Sequence, residues 1–457
     1  MTVLSSHPVP SGQSSDSNSL SFPGNFFWGI STSAHQVEGG ATQSQWSSWE
    51  AMGRIKSGER RGLACDWWRN AERDFDLACG LGLNALRISV DWSRLEPSEG
   101  KWDQQAMARY RAMLAGLHQR GIRPFVCLHH FCHPNWFEER GGFLAPGSED
   151  AFERFTRRAV SELGDLCRDW VTLNEPNVYA ALGYVLGEFP PGRKGDLLHA
   201  IRVLSSMGRA HARAYNAIHE LQSSAQVGWA HNYVVFQPAT PKAKFDRFAA
   251  NLAGALFNDS FLRVIENGCL PFPLSLANGD LSHARGTCDF VGLNVYSRFH
   301  IAFDTHYASQ LFGRAFVPPD VPQGDQGAEK PYGEAYPAAL RGAVERASRL
   351  QKPIFILENG VPDAADRIRP WLIVHALKEL HELLGSGHDI RGYFHWSLTD
   401  NFEWSEGWRL KFGLYALDPA TQERTARRSA EVFRMIVQAN GLARDLVEQY
   451  SNPPAPA

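Results

Sequence analysis

One pattern recurs eight times along the chain: a short apolar, β-branched run that ends in polar or aromatic residues, followed by a longer amphipathic segment. The eight runs begin at Phe26, Leu83, Arg123, Asp169, Gln226, Asp289, Pro353 and Arg391. Strands that alternate with helices indicate a parallel sheet, and eight is the number of strands that closes a (β/α)8 barrel. The sequence therefore predicts an α/β protein built as a single-domain (β/α)8 TIM barrel.

Three of the segments between the runs have the apolar spacing of amphipathic helices and end in glycine, a common helix stop. They are AERDFDLACGLG, DQQAMARYRAMLAGLHQRG and IRPWLIVHALKELHELLGSG. In a barrel of this kind the active site lies at the carboxyl ends of the strands, where the loops into the following helices converge. Functional residues are therefore expected at the end of each run.

A single domain is expected, because no Gly/Ser linker, long charge run or internal repeat divides the 457 residues. Residues 1–20 are rich in Ser, Pro, Gln and Asn and are predicted to form a disordered tail, and residues 451–457, SNPPAPA, a flexible one. The barrel domain is expected over residues 21–450. The Pro- and Gly-rich stretch 317–333 is predicted to be a surface excursion.

Charge and composition exclude several classes of partner. Lys and Arg total 46 against 49 Asp and Glu, so no positive field attracts nucleic acid or anionic lipid. No apolar run approaches the roughly 18 residues of a membrane-spanning helix, and the first twenty residues lack the basic and apolar parts of a secretory signal. Seven scattered cysteines favour a reducing compartment. We therefore expect a cytoplasmic protein with no nucleic-acid or membrane partner; the oligomeric state stays open.

Polar or aromatic side chains stand at the end of every run. Taken singly, each is explained as turn chemistry or a helix cap. Together, eight such edges around one pocket form a ring of hydrogen-bond donors and acceptors that suits a polyhydroxylated ligand. The residues at the run ends are Gln36 and Glu38, Arg87, His130, Asn174 and Glu175, Asn232, Asn294 and Tyr296, Glu358 and Asn359, and Trp396.

Two glutamates in this set, Glu175 and Glu358, follow the fourth and seventh runs, roughly opposite each other across an eight-stranded ring. Paired carboxyl groups at a sugar-like pocket are what cleavage of a glycosidic bond requires. One has to be a protonated acid near neutral pH and the other has to be ionised. Arg87 is expected to hold one carboxylate charged, while repulsion between like charges and partial burial raise the pKa of the other.

These residues lie in motifs that resemble those of the β-glycosidases of glycoside hydrolase family 1, over nearly the whole chain apart from the tails. TLNEP and the ENG of PIFILENG are the most specific, and RISVDWSRLEP, DFVGLNVYSR and GYFHWSLTDNFEWSEGW agree in the expected order. HHFCHPNW, NEPN and GYFHWSLTDNFEW lean toward the archaeal-type branch, where substrate range is often broad. The resemblance implies a retaining, exo-acting β-glucosidase, also active on β-galactosides or β-fucosides, that uses no cofactor.

By this resemblance Glu358 is the nucleophile and Glu175 the general acid/base of a double displacement, with carboxyl groups about 5–5.5 Å apart. The pKa of Glu175 is expected to fall when Glu358 becomes an uncharged ester. The resemblance also assigns substrate-binding residues: Arg87 and Tyr296 beside the nucleophile, Asn174 at the sugar 2-hydroxyl, Gln36, His130, Glu403 and Trp404 at the other hydroxyls, Trp396 beneath the sugar, Phe412 near its C6 edge, and Asn294 in the polar layer behind.

Two positions depart from the family pattern. Phe131 follows His130 where members usually have Trp, and Phe lacks the indole N–H that bonds the sugar 3-hydroxyl. Gly333 stands in the apparent place of a Trp that ordinarily helps to form the leaving-group site, so leaving-group preference is not carried over. Glu403 argues for an unphosphorylated glycone, namely glucose, galactose or fucose, because a carboxylate repels a 6-phosphate.

Two further motifs have simpler interpretations. A second ENG begins at Glu266 after a helical pattern, so Asn267-Gly268 is predicted to be a helix stop and Glu266 an exposed last-turn residue. The segment LHHFCHPNW suggests zinc, but successive strand residues point to opposite faces, and a complete ligand set needs further residues and a bend. No metal site is predicted from its candidate ligands, His129, His130, Cys132 and His133.

Three functions compete on this scaffold. A β-glycosidase and a transglycosylase share every catalytic residue and differ in whether water or a sugar hydroxyl takes the intermediate. A non-catalytic sugar-binding barrel typically loses one catalytic glutamate, whereas Glu175 and Glu358 are both present. The sequence favours hydrolysis of small β-glycosides or oligosaccharides over sugar binding alone, and it does not separate hydrolysis from transglycosylation.

Overall fold

The structure is a computed structural model that describes residues 19–277 and 279–454, apart from the side chains of residues 308–310. Most of the two predicted tails, residues 1–18 and 455–457, lies outside the described residues. The strand Ser19–Ser21 pairs in antiparallel fashion with Gly441–Ala443. The domain boundary predicted at residue 20 therefore falls inside a strand that joins the two ends of the described chain.

Eight parallel strands close into a barrel, which confirms the predicted fold. Each pairs with the next along the chain, and the last pairs with the first. Every one of the eight sequence runs contributes one strand. The strands are β1 (Phe27–Ser31), β2 (Ala85–Ser89), β3 (Arg123–His129), β4 (Asp169–Asn174), β5 (Gln226–Pro238), β6 (Val291–Phe303), β7 (Ile354–Asn359) and β8 (Ile390–His395).

The barrel interior is filled by apolar side chains from the strands and their entry loops. Phe125 lies at the centre, with ring centroids 5.4 Å from Phe355 and 5.1 Å from Phe394. Because strands of a parallel barrel are buried on both faces, their sequences are nearly continuous apolar runs, and this made them recognisable. The packed interior closes the lower part of the barrel and leaves only the carboxyl ends of the strands for a site.

Helices surround the barrel. The three segments predicted to be helical form the helices Trp67–Gly80, Gln104–His118 and Arg369–Gly385. The longer helices are Trp67–Gly80, Gln104–His118, Ser148–Leu163, Leu197–Leu221, Lys244–Phe257, Ser260–Asn267, Ala339–Ala347, Arg369–Gly385 and Arg428–Ala439. Shorter ones are Ala34–Val37, Gln45–Ala51, Trp92–Leu95, Asn135–Glu139, Pro176–Ala180 and Arg444–Gln449. Among the described residues, none of the helices has both the length and the apolar content needed to cross a bilayer.

Strands β5 and β6 continue beyond the barrel wall, which the sequence runs did not predict. The extension of β6 also pairs with two antiparallel strands, Gly313–Phe316 and Glu334–Ala335. The helix Lys244–Phe257 packs on this extension through Ala249 and Ala250. A separate small hairpin pairs Tyr415–Leu417 with Arg424–Ala426.

The segment 317–333, predicted to be a surface excursion, lies at the surface and folds over the barrel mouth. Most of its residues are half-buried, and Gly327, Glu329, Lys330, Pro331 and Tyr332 line a cavity above the barrel. Its Pro and Gly content indicates irregular backbone correctly. Irregular backbone says nothing about whether a segment turns outward or folds over the barrel mouth, and here it folds over.

Candidate active site

Most of the predicted site residues line one cavity of about 630 Å³ at the carboxyl ends of the strands. A volume of this size suits a small molecule, since such pockets typically measure about 300–1,000 Å³. The lining residues from the predicted set are His130, Glu175, Tyr296, Glu358, Trp396, Glu403 and Trp404. The others, Gln36, Arg87, Asn174, Asn294 and Phe412, are buried directly behind them.

Glu175 enters the cavity at a sharp turn between β4 and the helix Pro176–Ala180. Its backbone is in the left-handed region, with φ of 45°, a conformation that non-glycine residues rarely adopt. The backbone N–H of Glu175 donates to the Ala230 carbonyl at 2.8 Å, which ties the turn to β5. Backbone strain of this kind concentrates at functional sites.

Two amides contact the Glu175 carboxyl group. Asn232 Nδ2 and Asn294 Nδ2 each donate to Glu175 Oε1 at 2.8 Å. Burial and then the charge of Glu358 raise the pKa of Glu175 to about 8, against the opposing effects of the two amide donors and of the Arg87 charge. Glu175 is therefore mostly protonated at neutral pH.

Glu358, near the end of β7, has a different set of partners. Arg87 Nη2 donates to Glu358 Oε1 at 2.5 Å, and the Tyr296 hydroxyl donates to Glu358 Oε2. Burial raises the pKa of Glu358, while the Arg87 guanidinium and the Tyr296 hydroxyl lower it. The ion pair between Arg87 and one carboxylate that the sequence predicts is present, and both partners are buried.

A hydrogen-bond chain connects the surroundings of the two glutamates. Asn174 Oδ1 accepts from Arg87 Nη2 at 2.9 Å and from Asn294 Nδ2 at 3.1 Å. Asn174 Nδ2 is buried and has no hydrogen-bond partner. A buried amide without an acceptor is costly, so this N–H group is available to a ligand beside both glutamates. The predicted carboxyl separation stays a prediction.

Glu403 lies on another wall of the cavity, held by Gln36 from the short helix Ala34–Val37. Gln36 Nε2 donates to Glu403 Oε2 and to Asn401 Oδ1, both at 2.9 Å. Burial, with the charges of Glu358 and Glu175, raises the pKa of Glu403 to about 8, against the opposing Gln36 hydrogen bond. Gln36 therefore positions the Glu403 carboxyl group from behind.

Aromatic rings form the adjoining wall. The Trp404 ring stacks on His130 at 5.7 Å, and His130 lies 6.0 Å from the Trp396 ring. Trp396 belongs to a cluster with Phe412, whose ring is 6.1 Å from that of Tyr296. Flat apolar faces next to hydrogen-bonding groups suit the alternating C–H and O–H surfaces of a sugar ring.

The structure accounts for both departures from the family pattern. Phe131 lines the cavity, and its ring lies 5.2 Å from the Trp404 ring. An apolar ring therefore takes the place of the indole that family members usually have here. Gly333 has φ of 122°, and a Cβ atom there would lie 2.3 Å from the Ser297 Cβ. No larger side chain fits Gly333 on this backbone; its neighbour Tyr332 lines the cavity instead.

The four candidate metal ligands in LHHFCHPNW have different hydrogen-bond partners. His129 Nε2 lies 3.2 Å from His133 Nδ1, whose Nε2 lies 2.8 Å from Glu138. His130 Nδ1 faces Arg87 at 3.1 Å, and Cys132 Sγ is 3.9 Å from Asp91. Within residues 19–277 and 279–454, no group of three or more His, Cys, Asp or Glu side chains is arranged to hold a metal ion.

The second ENG lies in the last turn of the helix Ser260–Asn267, which ends at Gly268 in the left-handed conformation, as predicted. Glu266 is 27% exposed, so it is partly rather than fully exposed, and it lies 4.0 Å from Arg349. This glutamate is not among the residues that line the cavity.

Several residues at the cavity were not predicted. Asn232 was expected at the pocket as a run-end residue but was given no role, and nothing in the sequence around Tyr332 pointed to the site. The cavity rim also has a charged cluster in which Lys56 Nζ lies 2.7 Å from Glu406 and 3.3 Å from Glu188. Lys330 pairs with Glu188. Because four separate loops supply this cluster, no stretch of sequence reveals it.

Comparisons with known proteins agree with the geometry. A sequence model described as glycosyl hydrolase family 1 matches residues 18–442. The chain is 30% identical to β-glucosidase A of Thermotoga maritima, over 93% of this chain and 99% of the relative. It is also 30% identical to a β-galactosidase of Sulfolobus acidocaldarius, over 95% of this chain and 99% of the relative. A solved β-glycosidase from Pyrococcus horikoshii has a TM-score of 0.84 and 33% identity, covering 95% of this chain and 99% of that chain.

Proposed function

The chain belongs to glycosyl hydrolase family 1, and we propose that it is a retaining, exo-acting β-glycosidase that hydrolyses terminal, non-reducing β-D-glycosyl residues. The observation that carries the proposal is the unequal pair of glutamates in one cavity. Glu175 has a pKa raised to about 8, and Glu358 is ion-paired with Arg87. One carboxyl group is thus suited to give a proton and the other to attack.

In the first step, Glu358 attacks the anomeric carbon as Glu175 gives its proton to the leaving oxygen. The bond from the anomeric carbon to that oxygen breaks, an ester with Glu358 forms, and the aglycone departs as a neutral alcohol. Arg87 and Tyr296 stabilise the negative charge on Glu358 before the attack. The raised pKa of Glu175 keeps its proton in place at neutral pH.

In the second step, water takes the place of the aglycone. The ester removes the negative charge of Glu358, so the pKa of Glu175 falls and this carboxylate accepts a proton from the water. The water oxygen bonds to the anomeric carbon, the ester breaks, and Glu358 is released as a carboxylate. Two displacements at one carbon return the sugar with its β configuration.

The sugar is proposed to bind on the side of the cavity walled by Glu403. The unpartnered Nδ2 of Asn174 supports a hydrogen bond from this group to the 2-hydroxyl. The other substrate-binding roles are proposed from where the residues lie in and behind the cavity wall. His130, Glu403 and Trp404 bind the other hydroxyls, and Gln36 holds Glu403 from behind. Trp396 lies beneath the sugar ring, Phe412 lies near C6, and Asn294 lies in the layer behind the acid.

The glycone is proposed to be an unphosphorylated sugar, namely glucose, galactose or fucose. A 6-phosphate would meet the negative charge of ionised Glu358 and, beside Glu403, a carboxyl group whose ionisation it would oppose. The relatives named above, a β-glucosidase and a β-galactosidase, are consistent with this range. No cofactor enters either step.

We propose the cytoplasm as the compartment. All seven cysteines are free thiols, and most of them are buried. Unpaired cysteines in this number are typical of a reducing environment.

The test is release of nitrophenol from the β-glucoside, β-galactoside, β-fucoside and 6-phospho-β-glucoside, with the anomer first released followed by NMR. The proposal predicts turnover of the neutral sugars with the β anomer released first. Release of the α anomer would contradict the retaining mechanism. A folded protein that binds sugar but hydrolyses none of the four would establish the non-catalytic alternative instead.

A further inference from the structure

We propose that the leaving-group side of the cavity binds an apolar aglycone, an alkyl or aryl group, in preference to a second sugar. This inference rests on the proposed function, because it concerns the other half of the same cavity. The sequence left the leaving-group preference open, because Gly333 stands where family members usually have a Trp. In the structure, other apolar side chains form the wall of this part of the cavity.

The position of the acid identifies the leaving-group side. A general acid has to reach the oxygen that departs, so the aglycone lies next to Glu175. Four residues that follow Glu175 line the cavity and are apolar, namely Val178 on the helix Pro176–Ala180 and Ala181, Leu182 and Leu186 in the turns after it. They form one apolar face beside the acid.

A second apolar face comes from the extensions of β5 and β6. Val234 and Phe236 follow Asn232, which donates to Glu175, and both line the cavity. Phe236 is the cross-strand partner of Phe299 on β6, which also lines the cavity. The Phe257 ring, at the end of the helix Lys244–Phe257, stands 5.9 Å from the Phe236 ring at 87°. All three phenylalanine rings are half-buried.

Some of the polar groups on this side are committed to other partners. Asn232 donates to Glu175, and Lys56 at the rim pairs with Glu188 and Glu406. A second sugar would bury hydroxyl groups against the phenylalanines without hydrogen-bond partners, which is costly. An alkyl or aryl group in the same place gains from every methylene removed from water.

Gly333 fits this arrangement. The position that a Cβ atom would take at Gly333 is 3.3 Å from the Phe299 ring and 2.3 Å from Ser297. The backbone of the segment 317–333 therefore approaches β6 closely. Phe299 supplies an aromatic surface in the place where the family pattern has a Trp.

The experiment compares methyl, butyl and hexyl β-D-glucosides with cellobiose. The alkyl alcohols have nearly equal acidity, so differences in kcat/KM report contact with the wall. We expect kcat/KM to rise about two- to fourfold per methylene, and to be higher for the hexyl glucoside than for cellobiose. A flat alkyl series, or a preference for cellobiose over the hexyl glucoside, would overturn the proposal.

Variants locate the effect. Phe236→Ser and Phe299→Ser are expected to flatten the alkyl series, whereas Phe248→Ser should leave it unchanged. Phe248 is a matched control because it lies on the same helix as Phe257, is 55% exposed and is not among the cavity residues. An alkyl series that stays equally steep in both cavity variants would refute the assignment to this wall.

β-Glucosyl fluoride separates this proposal from the proposed function. Fluoride has no apolar surface and leaves without a proton, so its release requires the nucleophile but not the wall. Turnover of the fluoride by the wild type and by all three variants shows that they are folded and active. If the fluoride is turned over but the alkyl series is flat, the apolar leaving-group site is wrong and the proposed function stands. If no glucoside or galactoside is turned over, the proposed function itself is wrong.

Discussion

Arg87 Nη2 lies 2.5 Å from Glu358 Oε1, and both residues are buried at the inner end of the cavity. The guanidinium stabilises the ionised form of Glu358. Glu175 accepts instead from two neutral amides, and burial with the charge of Glu358 raises its pKa to about 8. Two glutamates in one cavity thus differ in their partners, and the difference in partners assigns their roles.

The nucleophile is tested by Glu358→Gln, because an amide cannot attack the anomeric carbon. We expect kcat/KM to fall by at least about a thousandfold, with the fold intact by circular dichroism. The matched control is Glu266→Gln, the same substitution in the same ENG tripeptide at a helix end, which should keep full activity. Equal effects of the two substitutions would mean that Glu358 has no special role.

The acid is tested by Glu175→Ala with leaving groups of different acidity. Alkyl glucosides should lose about 10²- to 10⁴-fold in rate, because their oxygen needs a proton. Dinitrophenyl glucosides should lose far less in the first step. Azide should then restore turnover and yield the β-glycosyl azide, since it attacks without giving up a proton. An equal loss on both kinds of substrate would remove Glu175 from the role of acid.

The pH dependence follows from the pKa of Glu175, which is about 8. Because the acid works in its protonated form, kcat/KM should fall as the pH rises through about 8. Asn232 donates to Glu175 and so lowers its pKa. Asn232→Ala should therefore move the basic limb of the profile to higher pH, whereas Asn267→Ala should not. A basic limb that shifts downward would contradict the assigned hydrogen bond.

Selectivity against phosphorylated sugars is tested at Glu403. The wild type should prefer the β-glucoside over the 6-phospho-β-glucoside by at least about a hundredfold in kcat/KM, because a phosphate in this closed site would meet the negative charge of Glu358 and the Glu403 carboxyl group in place of a cation. Glu403→Ser should lower activity on the neutral sugar and reduce this ratio. If the ratio is unchanged in the variant, phosphate exclusion arises elsewhere in the cavity.

Stability is tested at a buried ion pair that joins the small hairpin to the helix Trp67–Gly80. Arg424 Nε lies 2.8 Å from Asp74, which is fully buried and also accepts from Trp67. Arg424→Met leaves a buried carboxylate without its cation and should cost about 3–5 kcal/mol of unfolding free energy in urea. Arg434→Met, in an exposed pair with Glu431, should change stability very little.

The sequence predicted the barrel strands because burial on both faces leaves long apolar runs, as in PIFILENG of β7. It also separated Glu358 from Glu266, since one ENG follows a strand pattern and the other a helical one. Where the chain obeys local rules of this kind, sequence and structure agree on the element and on the residue at its end.

Other features depend on contacts between distant segments. The rim cluster of Lys56, Glu188, Lys330 and Glu406 is assembled from four loops, so no local pattern contains it. Strand β5 was predicted only as far as Asn232, because its continuation is stabilised by β6 and by a helix rather than by its own pattern. The conformation of the segment that carries Tyr332 likewise depends on tertiary contacts.

Trapping the intermediate with 2-deoxy-2-fluoro-β-D-glucosyl fluoride tests the central claim most directly. The reactive fluoride leaves readily, and the 2-fluorine slows hydrolysis of the ester, so the sugar stays attached. Mass spectrometry should find one 2-fluoroglucosyl group per chain, on the peptide that contains PIFILENG, at Glu358. A label on Glu175, or no label while glucosides are hydrolysed normally, would contradict the account.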